Sequence, residues 1–132
     1  MTPFLDPGDR IGVKWLSGKD WDELAVGDLV MARNPQGGWI LHRILDCPEG
    51  NGLWTTKGDA SLTAETFEKN ELWGRVVAVK RQGAGPEILL TKSPLDFWIA
   101  RCSRQTINSS RAVAAFCRRA SRGLGWLRRL TA

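Results

Sequence analysis

His42 is the only histidine in this 132-residue chain. It lies within Trp39-Ile40-Leu41-His42-Arg43-Ile44-Leu45, a run whose β-branched and aromatic residues read as a strand. A second strand-like run, Leu53-Trp54-Thr55-Thr56-Lys57, leads into Gly58-Asp59. Between them, Pro48, Gly50, Asn51 and Gly52 mark a turn, so the two runs are expected to pair as a hairpin. Such a hairpin would bring an imidazole and a carboxylate to one sheet edge, which is the base and orienter of a nucleophilic triad. Both residues also have a structural reading: a strand histidine can be a satisfied core group, and Asp after Gly is ordinary turn chemistry.

The remaining reactive side chains add little to that pair. Cys47, Cys102 and Cys117 are odd in number and widely spaced, with no C-x-x-C unit and one histidine to help them. They give no zinc signature and no disulfide framework, and a reducing compartment is the simplest inference. No metal and no cofactor is expected. Cys47 falls in a turn with no basic neighbour to lower its pKa, which argues against it as a nucleophile. Lys57 can be read as an alternative base or as a surface residue beside a turn glycine, and Arg43 as a carboxylate partner or, more simply, as a solvated side chain.

The elements that must position these groups follow from the pattern of the chain. Ile11, Val13 and Trp15 alternate with Gly12 and Lys14 as a half-buried strand; residues 17–22 read as a polar loop; and Gly27-Asp28 opens a second strand over residues 29–33. After the hairpin, residues 60–70 suggest a loop or one helical turn, residues 72–81 resume strand alternation, and residues 87–90 return as a short strand. About six short strands with Gly/Pro turns predict a curled all-β domain over residues 1–91. Its tryptophans are expected mostly in the core.

Residues 92–132 differ in character. Ser93-Pro94 can cap a helix carrying Phe97 and Trp98, and Val113, Phe116, Cys117, Ala120, Leu124 and Leu127 form an apolar stripe at helical spacing from about residue 109. Eight arginines and no acid fall in residues 101–132, whereas residues 1–100 hold 11 Lys+Arg against 14 acids, so the formal charge of +5 belongs to the tail. A basic amphipathic helix over residues 109–130 can lie on an anionic membrane or pack on the β domain. No nucleic-acid partner is expected, because the arginines come without a recognisable module. No run approaches the ~18 apolar residues of a membrane span, so a cytoplasmic or membrane-peripheral location is expected.

Four short motifs, taken together, resemble the signal-peptidase superfamily, which shares a β-rich domain with the self-cleaving LexA-type repressors. Its pattern is a nucleophilic Ser followed by Met-x-Pro and then Gly-Asp opening a strand. Met1-Thr2-Pro3-Phe4-Leu5 and Pro7-Gly8-Asp9 match from the second residue onward, and Gly27-Asp28-Leu29-Val30 matches a second Gly-Asp strand. His42-Arg43, Lys57-Gly58-Asp59 and Trp73-Gly74-Arg75-Val76-Val77 are similar to the histidine-base type found in the endoplasmic reticulum and archaea.

The resemblance covers roughly residues 1–80 and implies a serine endopeptidase. His42 and Asp59 would be catalytic, the family's Gly-Asp-Asn-Asn becomes Gly58-Asp59-Ala60-Ser61 here, the second acid expected a few residues on could only be Glu65, and Met1, Thr2 and Pro3 would border the oxyanion and substrate groove. The substrate would be a peptide bound in extended form, with small residues before the cleaved bond. The family's Ser would stand immediately before Met1, which leads to the expectation that the start is placed too far downstream; Thr2 is the nearest hydroxyl and a poor substitute. The rival reading is a non-catalytic peptide-binding or membrane-associated relative of the same fold.

Overall fold

The computed structural model describes residues 5, 8–48, 52–59, 61–82, 88–89, 99–102 and 104. Seven strands form one antiparallel sheet: β1 (Arg10–Trp15), β2 (Leu29–Arg33), β3 (Trp39–Asp46), β4 (Trp54–Lys57), β5 (Glu65–Phe67), β6 (Leu72–Lys80) and β7 (Ile88–Leu89). Their order is β1-β6-β2-β3-β4-β5, with β7 also on β6. The protein is mainly β, as the strand pattern predicts.

Side chains alternate across a strand, so this sheet has two faces to fill. On one face Val30, Ala32, Ile44, Trp54, Phe67 and Leu72 pack with Leu24. On the other, Leu29, Val76 and Val79 pack with Leu5, which precedes the described strands, and Ile99, which follows them. This explains why Leu29-Val30-Met31-Ala32 is continuously apolar rather than alternating: both of its faces are covered. The β2–β3 turn closes with Gly37 at φ +81°, where a side chain would be strained, while the Gly38 amide donates to Asn34 Oδ1 at 2.6 Å.

Three expectations need correction. Residues 17–22, expected as a polar loop, fall largely in a 3-10 turn, Gly18–Glu23, whose start is tied by Ser17 N and Oγ donating to Asp20 Oδ2 at 3.0 and 3.1 Å. Glu65–Phe67 is a strand rather than a loop or a helical turn, because Phe67 pairs with Trp54 and buries its ring beside it. Finally, Trp15, Trp39 and Trp73 are 58%, 52% and 43% exposed rather than buried. Trp54 is core and Trp21 is packed against it.

Residues 99–102 and 104 are helical, with Ile99 and Ala100 buried and Ile99 packed on the sheet. Arg104 donates to Asp46 Oδ2 at 3.0 Å. The helix expected over residues 109–130 lies outside the described residues. Among the described residues no helix is long and apolar enough to cross a membrane.

Candidate active site around His42

The hairpin predicted from the sequence is formed, with β3 pairing β4 in the register Arg43↔Lys57 and Ile44↔Thr56. That register carries Gly58 alongside His42, and a Cβ built on Gly58 would lie 3.4 Å from His42 Nε2. His42 is 8% exposed. Its Nδ1 is 3.0 Å from Thr56 Oγ1, and its ring meets Phe67 edge-on at 6.0 Å. Among the described residues Nε2 makes no hydrogen bond. Burial lowers the pKa of the ring below its ordinary value of 6.5, while the charges of Glu65 and, less strongly, Asp59 pull it back up. The net effect favours neutral imidazole, the form that can accept a proton.

Asp59 is not hydrogen-bonded to that ring. Adjacent strand residues point to opposite faces, so Arg43 leaves the sheet on the side away from His42 and meets Asp59 there. Arg43 Nε donates to Asp59 Oδ1 at 3.0 Å and Nη2 to Oδ2 at 2.9 Å, a two-pronged clasp in which both side chains are almost wholly buried. Arg43 Nη1 donates to the Gly27 carbonyl at 2.7 Å, and the Gly27 amide donates to Ile44 O at 2.9 Å. Gly27 has φ +101°, which only glycine adopts readily, so the Gly27-Asp28 box has a backbone reason.

Arg43 is therefore not solvated: at 1% exposure it is a central buried cation. Lys57 is likewise buried, in register opposite Arg43, rather than at the surface. The spacing His42-Arg43…Lys57-Gly58-Asp59 carried this information, because a hairpin that brings Asp59 beside β3 must present it to one of two neighbouring residues that face opposite ways. Parity along β4 selects Arg43, which shares a face with Lys57 and Asp59.

Glu65 stands opposite Thr56 in the β4–β5 ladder, two residues before the buried Phe67. It thus shares the His42 face, is exposed, and its charge raises the histidine pKa more than that of Asp59 does. Ser61 lies nearby: its Cβ is 3.6 Å from the position a Gly58 Cβ would take, while its Oγ is engaged with Thr63. Met1, Thr2 and Pro3 lie outside the described residues. Among the described residues no group of three or more His, Cys, Asp or Glu side chains converges as a metal site. No family model, curated protein or solved structure matches this chain.

Proposed function

We propose that this chain is the LexA/signal-peptidase-like domain of a serine endopeptidase, with His42 as general base for the nucleophilic Ser that the family pattern sets ahead of Met-x-Pro. The observation that carries the reading is the condition of the His42 ring. Burial favours its neutral form, Thr56 holds Nδ1, and Nε2 borders a glycine that leaves room beside it.

In this mechanism the Ser hydroxyl adds to the scissile carbonyl as its proton passes to His42 Nε2, and the ring returns that proton to the leaving amine. Nδ1–H donates to Thr56 Oγ1 throughout. A threonine hydroxyl orients the ring but lacks the charge that stabilises imidazolium, so that part falls to Glu65 on the same face and, through space, to Asp59. Asp59 acts as a positioning residue, its clasp with Arg43 anchoring the loop that follows β4. The peptide lies extended and pairs with a strand edge by main-chain hydrogen bonds.

A peptide-binding domain without catalysis is the second reading, favoured by the engagement of both Asp59 oxygens by Arg43. Hydrolysis of a fluorogenic peptide with small residues before the scissile bond separates the two. With Ser placed before Met1, turnover is expected, falling by about 10³-fold or more in His42→Ala. Saturable binding of the peptide with no cleavage in either form would support the second reading instead.

A further inference from the structure

We infer that Trp15, Trp39 and Trp73 form a docking surface for an anionic lipid bilayer, an inference independent of the peptidase reading. The three come from the same end of the sheet, where β1 finishes, β6 begins and the β2–β3 turn lies. Trp15 is in register with Gly74, the Leu16 amide donates to the Trp73 carbonyl at 2.8 Å, and Trp39 is paired with Arg33. The rings hold one another edge-to-face, with centroids 6.3 Å apart for Trp15–Trp39 and 5.7 Å for Trp39–Trp73. Each is at least 43% exposed, so the patch is built before any partner arrives. Indole is apolar with one N–H donor, and its preferred environment is the boundary between headgroups and acyl chains.

Charge selects the kind of bilayer. The Arg33 guanidinium lies 5.7 Å from the Trp39 ring centroid and its Nε donates to the Gly37 carbonyl at 3.5 Å, which fixes a cation at the rim of the trio. The adjoining turn, Asn34-Pro35-Gln36-Gly37-Gly38, contains no acid.

Flotation of the full chain tests this, using vesicles of phosphatidylcholine alone and vesicles with about one-third phosphatidylglycerol. The chain is expected to float with the anionic vesicles. Replacing all three residues (Trp15→Ser, Trp39→Ser, Trp73→Ser) should weaken partitioning by about tenfold or more. Arg33→Gln, which leaves the fold's packing alone, should weaken it about fivefold on anionic vesicles only. Brominated acyl chains should quench tryptophan emission in the parent and much less in the triple variant. The inference is overturned if the parent stays at the bottom with both vesicles, or if the triple variant, melting like the parent, floats equally well. It is also overturned if the substitutions abolish self-association in sedimentation while leaving flotation unchanged, which would make the patch a contact between copies.

Discussion

Arg43 and Asp59 face each other in the interior with little water to share their charge, so neither tolerates loss of the other. Asp59→Ala removes the carboxylate that clasps a buried guanidinium, and urea unfolding should show a loss of about 3–5 kcal/mol. The pair Arg43→Met with Asp59→Leu should recover most of that loss, because well-packed apolar groups remove the desolvation problem as well as the attraction. Equal stability of Asp59→Ala and the parent would contradict the clasp. His42 gives a prediction of opposite origin. Its folded pKa is lowered, so below the unfolded value of ~6.5 the unfolded chain binds protons more readily, and the histidine's contribution is full above that pH and lost as pH falls through it. Melting temperature should therefore drop between pH 7.5 and 5.5, and His42→Phe should flatten that drop. A parent whose melting temperature holds constant across this interval would be inconsistent with a buried neutral ring.

The strands impose parity, and parity decides which expectations could be read in advance. The β3–β4 hairpin was legible because turn residues and two β-branched runs state it locally. The partnering of Asp59 was legible only by counting alternate residues from Arg43 through its register partner Lys57, since an adjacent histidine and arginine look equally available in a linear string. β5 was not legible: Glu65-Thr66-Phe67 is too short for its two strand formers, Thr66 and Phe67, to show alternation, and its form comes from pairing with Trp54–Thr56. Nor was the exposure of three tryptophans, because alternation gives the face a residue takes without saying how far along that face the core extends. Close packing between elements makes a further prediction at β1–β6. A Cβ on Gly74 would come 2.3 Å from Val13 Cγ1 and 3.3 Å from the Lys14 carbonyl, and valine has few rotamers with which to yield. Gly74→Ala should destabilise by about 1–3 kcal/mol in denaturant unfolding, despite alanine being the better strand residue. An unchanged or higher midpoint would contradict that packing.

At the scale of the molecule, one sheet separates two cores, and the second is closed by Leu5 and Ile99 from either end of the described chain. Ile99→Ala should therefore lower global stability by about 2–5 kcal/mol, measured by urea unfolding, and not merely loosen a tail. A loss below about 0.5 kcal/mol, the range of ordinary surface changes, would contradict its place in the core. The same arrangement puts the histidine face and the buried Arg43–Asp59 clasp back to back, so the catalytic proposal assigns its chemistry to one side of the sheet and its rigidity to the other. The account rests on His42 activating a Ser placed before Met1, and the rate of modification by a serine-directed fluorophosphonate measures this most directly. The account predicts an adduct on that Ser, forming faster as His42 loses its proton and slowed by about 10³-fold or more in His42→Ala. An adduct that forms equally fast without the imidazole, or on a different residue, would contradict it.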